Sequence, residues 1–162
     1  MQTIYAPNYT VGAVSPTVFL AGSIEMGKAE DWQAQVTEML KESEGTILNP
    51  RRPDWDNTWG TSPTDEPFRT QVIWEQYGIC FSDIVFFNFC PGTSSPISLL
   101  ELGTVLGRRS EVVVCCPKEF SRYGNVAITC EMHHVMCHNN LEVAVKHLKS
   151  SINRINYWKN TT

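Results

Sequence analysis

SDIVFFNFCPGTSSPISLLELGTVLG, Ser82 to Gly107, is the stretch that decides the fold. Its apolar run, Ile84 to Phe89, predicts a strand buried on both faces, since no polar residue alternates through its first four positions. The run breaks into a Pro/Gly/Ser loop from Cys90 to Pro96, and an apolar-periodic helix follows from Ile97 to Leu106. Glu101 lies on the second turn of that helix, flanked by Leu99, Leu100 and Leu102. An acid is costly to bury without a partner or a task. In parallel α/β sheets, ligands bind in the crevice beyond the carboxyl ends of the strands. Glu101 is placed beside such a crevice and is the candidate working carboxylate; the alternative is a solvated acid on the helix rim.

Working outward, the same grammar repeats. Thr17 to Ala21 is a β-rich run closed by Gly22-Ser23, and Lys28 to Glu42 has helical spacing through Trp32, Val36, Met39 and Leu40. A second strand, Thr46 to Leu48, stops at Asn49-Pro50. Arg51 to Pro67 is irregular, polar and aromatic, a loop of the functional kind. A helix over Phe68 to Phe81 takes its apolar face from Val72, Ile73, Trp74, Tyr77 and Ile79. After the central stretch come a strand at Val112 to Cys116, a helix at Asn125 to His134, a brief edge strand at Val135 to Cys137, and a last helix at Asn139 to Asn153. The buried face of that helix is Leu141, Val143, Val145 and Leu148.

Five strands alternating with helices predict an α/β flavodoxin-like doubly wound parallel sheet, order 2-1-3-4-5, with helices on both faces. The switch point of that order lies between the first and third strands. It sets Gly22 to Gly27 beside Cys90 to Pro96. The 162 residues fit one domain, 1–162, with residues 1–16 and 156–162 peripheral.

Composition narrows the chemistry. A net charge of −4 without a basic stripe argues against nucleic-acid binding. No apolar run approaches the roughly 20 residues of a membrane helix. The six Cys lie mostly in apolar segments and no secretory leader precedes the first strand, which predicts reduced thiols and a cytoplasmic protein. Four His form no HExxH and pair with no CxxC, so no metal is expected, and no Cys has the setting of a nucleophile.

The turn AGSIEMG, Ala21 to Gly27, either presents amides to a ligand or is a plain tight connection. It is neither GxGxxG nor a P-loop, and Glu25 would repel a phosphate. Arg51 and Arg52 leave the second strand at the ligand end beside Trp55 and Trp59. They suit an anion or an aromatic base, or else form a surface loop with Arg stacked on Trp. Glu75, near Tyr77, is either a surface charge or the second acid that glycosyl transfer needs. Asp83 opens a strand at the opposite end and suits a turn. A carboxylate placed like Glu101 can attack a sugar anomeric carbon and form a glycosyl ester.

Four blocks then resemble one family: VFLAGSIEMGKAEDWQ (Val18 to Gln33), ILNPRRPDWD (Ile47 to Asp56), QVIWEQYGICFSDIVFFNF (Gln71 to Phe89) and SSPISLLELG (Ser94 to Gly103). They are similar to the nucleoside 2-deoxyribosyltransferases of the "like" branch, over roughly Val18 to Cys137. The resemblance implies a flavodoxin-like fold, homo-oligomers with shared sites, and cofactor-free transfer of 2-deoxyribose from a deoxynucleoside to a free nucleobase. It puts the nucleophile of the family's E-x-G motif on Glu101 and the base-contacting acid on Glu75 in WEQYGI, where the best-known members have Asp. It puts the small-residue turn on Gly22 and Ser23, and the Asn lent by a neighbouring subunit on Asn125. The family's loop Asp is replaced here by Ser95. The resemblance also reaches nucleoside 5′-monophosphate N-glycosidases, in which Arg51 or Arg52 would hold the phosphate. A module that senses nucleotides without turnover is the non-catalytic rival.

Overall fold

Six strands, all parallel, make one sheet in the order β1-β3-β2-β4-β5-β6 in a computed structural model that describes every residue except 9, 26–28, 57, 109–110 and 162. The strands are β1 (Gln2–Tyr5), β2 (Thr17–Gly22), β3 (Thr46–Asn49), β4 (Ile84–Asn88), β5 (Glu111–Cys115) and β6 (Cys137–His138). The helices are α1 (Trp32–Met39), α2 (Glu66–Phe81), α3 (Pro96–Leu106), α4 (Tyr123–Met132) and α5 (Leu141–Thr161). Set aside β1 and the remaining five strands run in the expected order 2-1-3-4-5.

The sixth strand, β1, corrects the strand count. QTIY pairs with β3 from Gln2↔Thr46 to Tyr5↔Asn49, and Gln2 also donates from its amide side chain to Thr46 Oγ1 (3.0 Å). This edge strand is partly exposed and has no long apolar run, so periodicity alone does not reveal it. The central strands are different: all five residues of β4 are buried, as a sheet covered on both faces requires.

Alternation through the strands divides the apolar side chains into two layers. Phe19, Ala21, Val85, Phe87, Val112 and Val114 pack with α2, α3 and α4. Val18, Leu20, Ile47, Ile84, Phe86 and Val113 pack on the other face with α1 and α5. Trp32 of α1 is fully buried against Phe86, with ring centroids 6.0 Å apart, and its indole N–H donates to Ser23 O (2.8 Å). That bond fixes the turn after β2 from below.

Several helix expectations shift. The expected start of the first helix, Lys28, lies outside the described residues. The described helix starts at Trp32, where Asp31 accepts from the Ala34 amide (3.1 Å) as an N-cap. The last helix does not stop at Asn153: α5 continues to Thr161, with Ile155 against the core and Lys159 Nζ donating to Ser15 O (2.6 Å). Its buried face is Ala144, Val145, Leu148 and Ile152, and Val143 is 52% exposed because it falls off that 3.6-residue stripe. On α2 only Trp74 and Ile79 of the expected apolar face are buried, while Ile73 and Tyr77 point outward. Asp83 accepts from the Thr17 amide (2.7 Å) and from the Ser15 and Thr17 hydroxyls, the structural role expected of it.

Candidate functional site

The chain leaves β2 towards β3 on one side and returns through β4 on the other, so the loops after β2 and β4 meet. Gly22 lets them. Its φ is +139°, and a Cβ there would stand 2.1 Å from Asn88 O, so β2 and β4 approach more closely than any side chain permits. Just beyond, three hydroxyls form a triangle: Ser23 to Ser95 (2.7 Å), Ser23 to Thr93 (2.8 Å) and Thr93 to Ser95 (3.0 Å). Ser23 Oγ also accepts from the Cys90 amide (2.9 Å), and Ser98 Oγ donates to Gly22 O (2.7 Å). The structure therefore brings Gly22, Ser23 and Ser95 together at the start of α3. Ser98 belongs with them, though sequence reading does not single it out.

Glu25 closes the same corner. Its Oε1 accepts from the amides of Ser94 (2.9 Å) and Ser95 (2.8 Å) at the amino end of α3, and the Ser95 amide leads in holding its carboxyl below the ordinary range. Both Glu25 and Ser95 adopt left-handed backbone, with φ +48° and +46°. The anion-attracting end of α3 thus already holds a carboxylate of the chain itself.

One and a half turns into α3, Glu101 is only 6% exposed, on the inner side with Ser98, Leu102 and Val105. The solvated-rim alternative is thereby set aside. Gly103, two residues on, faces open space, for a Cβ there would meet nothing within 4 Å. Burial pushes the Glu101 carboxyl up to about 8, and the negative charge of Glu75 adds to the rise. Glu75 stands on α2, half-buried, and is itself pushed up to about 7 by burial, opposed by a hydrogen bond from Gln71 Nε2 (2.8 Å). The two acids, 26 positions apart in sequence, therefore form one electrostatic pair.

Gln71 is a residue that sequence reading missed. It is 4% exposed and donates from Nε2 both to Glu75 and to Pro50 O (3.0 Å), while its Oε1 is buried without a partner. Its spacing, one helical turn before Glu75, is the signal that could have found it.

The arginines face elsewhere. Arg51 donates to Glu30 O (3.0 Å), Ala29 O (3.0 Å) and Gln33 Oε1 (3.4 Å), tying the end of β3 to the approach of α1. Arg52 forks onto Asp54 (2.8 and 2.7 Å) and lies 4.8 Å from the Trp59 ring centre, with Trp55 edge-on to Trp59 at 5.1 Å. Both arginines line a cavity of about 550 Å³ with Tyr5, Asp31, Asn49 and Asp54. A second cavity, about 530 Å³, lies between the end of α1 and α5. Glu101 lines neither cavity. Asn125 is exposed on the first turn of α4, where its carbonyl accepts from Thr129 Oγ1 (2.7 Å).

Among the described residues no group of three or more His, Cys, Asp or Glu could hold a metal ion, and no helix is long and apolar enough to cross a membrane.

A parallel sheet whose order reverses between β2 and β4, covered by helices on both faces, defines the doubly wound α/β class, in which ligands bind at the strand ends. A sequence model described as "Nucleoside 2-deoxyribosyltransferase like" matches residues 15–120, about two thirds of the chain, and the chain belongs to that family. The match takes in Gly22, Ser23, Arg51, Arg52, Trp55, Glu75, Ser95 and Glu101; Asn125 lies beyond it. No curated protein matches the chain.

Proposed function

We propose that this chain is a nucleoside 2-deoxyribosyltransferase with Glu101 as nucleophile and Glu75 as the acid that assists the departing base. The observation that carries the reading is the acid pair itself: a buried Glu101 on α3 and a half-buried Glu75 on the neighbouring α2, both with raised proton affinity. Between about pH 7 and 8 such a pair shares one proton, and the reactive form is the tautomer with that proton on Glu75 and the charge on Glu101. The ionised Glu101 attacks C1′ of the deoxynucleoside. The C1′–N bond breaks, the proton of Glu75 goes to the departing nucleobase, and a deoxyribosyl ester remains on Glu101. A second base attacks C1′, its N–H proton passes to Glu75 and the ester bond to Glu101 breaks, restoring both acids; water in its place, giving its proton to Glu75 in the same way, yields free deoxyribose.

Glu25 supports a nucleoside over a nucleoside 5′-monophosphate. The Ser94 and Ser95 amides, the natural anion donors of this corner, are taken by its carboxylate, whose charge repels a phosphate. Gly22, Ser23 and Ser95 shape the sugar side of the crevice, and Arg51, Arg52 and Trp55 flank its approach.

An outward apolar surface runs over the three helices of the active face: Ile73, Tyr77 and Phe81 of α2, Ile97 and Leu100 of α3, and Ile128 of α4. Such a patch favours association with a second copy of the chain, which would close the crevice and lend its Asn125.

Intact-mass measurement after denaturing a mixture of protein and deoxynucleoside tests the proposal. A gain of one deoxyribosyl group is expected, absent in Glu101→Ala, with turnover lost. Absence of the adduct together with retained turnover in Glu101→Ala would refute the assignment. Turnover of the monophosphate alone, without base exchange, would instead favour the glycosidase.

A further inference from the structure

Five of the six cysteines are buried or half-buried, and three of them meet on one side of the sheet, away from the acid pair. Cys116 follows β5 directly, Cys130 lies on the last turns of α4, and Cys137 begins the edge strand β6. The Cys116 and Cys130 side chains are fully buried in the layer shared with α4, and Cys137 packs on them from its partly exposed position. Cys137 is the most exposed sulfur of the three, and both buried thiols act on it as donors, although Cys116 Sγ also donates to Pro117 O (4.0 Å). That arrangement favours the Cys137 thiolate and leaves the protons on its partners. Cys116 contributes most and Cys130 next.

We propose that Cys130 and Cys137 form a reversible disulfide on exposure to a hydroperoxide, with Cys137, the more accessible of the two, reacting first and Cys116 as the neighbour that speeds it. An accessible, stabilised thiolate next to a resolving thiol is the setting in which cysteine oxidation is selective. The backbone favours Cys130 over Cys116 as the partner. The ladder pairs Val114 with Cys137 and Cys115 with His138, so Cys116 is diagonal to Cys137. Its amide already donates to His138 O (2.7 Å). Disulfides span Cα atoms roughly 4.4–6.8 Å apart, which a diagonal pair exceeds. By contrast, the His133 and Val135 amides both donate to Cys130 O (3.1 and 2.9 Å), and this folds the chain back onto Cys130 two residues before Cys137.

In the first step the Cys137 sulfur takes one peroxide oxygen and the O–O bond breaks. The departing alkoxide or hydroxide picks up a proton, and Cys137 becomes a sulfenic acid. The Cys130 sulfur then attacks Cys137 and the S–O bond breaks. The oxygen leaves as water, carrying the Cys130 proton. Two thiols and one hydroperoxide thus give one disulfide, one alcohol (or water) and one water, with two electrons passing to the peroxide. This inference does not depend on the proposed activity.

Hydrogen peroxide titrated onto the full chain, followed by alkylation, cleavage after Glu131 and mass mapping, tests it. The expected product joins the peptides holding Cys130 and Cys137 and is reversed by a dithiol reductant. Cys137 should also lose its capacity for alkylation before the exposed Cys80 does. Cys137→Ser should abolish the link, and Cys116→Ser should retain it but slow it severalfold. A Cys116–Cys137 link, or loss of Cys80 ahead of Cys137, overturns the proposal even if the variants fail to fold. Unchanged linking in Cys116→Ser overturns the part given to Cys116.

Discussion

Glu101→Gln isolates the energetic consequence of burying an acid in α3. The carboxyl is raised from 4.5 to about 8, chiefly by burial and then by the charge of Glu75. Between those two values the folded chain keeps a proton that the unfolded chain has already lost. Stability therefore falls as pH climbs through this window and is level outside it. At about 1.4 kcal/mol per pH unit, the full cost of ionising Glu101 in place is about 5 kcal/mol. Glutamine matches the carboxyl in shape and never ionises. Its buried amide carries a pH-independent cost of its own, about 1–3 kcal/mol, so the informative quantity is how the difference changes with pH. Urea unfolding of both proteins at equal concentration, from pH 4 to pH 9, measures it. The variant should gain on the unaltered protein steadily above pH 4.5 and level off past pH 8, by about 5 kcal/mol in total. A difference that stays flat within about 1 kcal/mol across this range would refute the placement of a dry carboxyl at position 101.

Three further outcomes are expected. For the unaltered protein, kcat/KM should follow a bell peaking between pH 7 and 8, the values of the coupled pair; Glu75→Gln should remove the alkaline limb and bring the ionisation of Glu101 below about 8, because a like charge beside it is gone. The same variant should lose roughly 10²- to 10⁴-fold in rate, and a Glu101 that still ionises at about 8 would break the coupling of the two acids. Gly22→Ala must place a Cβ 2.1 Å from Asn88 O at φ +139°, and should cost about 3 kcal/mol or more, read as a fall in Tm of roughly 6–12 °C; a Tm within about 2 °C would show that the loops can part. Leu100→Glu puts a charge on the outward face of α3, where Leu100 is 66% exposed, and should lower the mass found by light scattering while circular dichroism stays the same; an unchanged mass would place the association surface elsewhere.

The sheet was legible because β2, β4 and β5 are continuous apolar runs, and buried parallel strands need no alternation. β1 was not, because an edge strand with exposed ends satisfies half its hydrogen bonds with β3 and leaves no pattern in its four side chains. The reach of α5 was hidden in a similar way. Near its end Lys159 bonds a distant backbone carbonyl, that of Ser15, a contact no local signal announces. Within the site, Glu101 stood out as an acid among leucines. Gln71 and Ser98 did not, since an amide or a hydroxyl on a helix is unremarkable until its partner across the fold is known. Glu25 was legible as a repelling charge, but not as the group that fills the amides of the facing loop.

The Ser23–Thr93–Ser95 triangle is made of neutral hydroxyls, which neither titrate in the physiological range nor attract counter-ions. A scaffold fastened this way keeps its dimensions when buffer or ionic strength changes, and also while the two acids beside it gain and lose protons. Acidity can then tune reactivity here without loosening the frame that aims it.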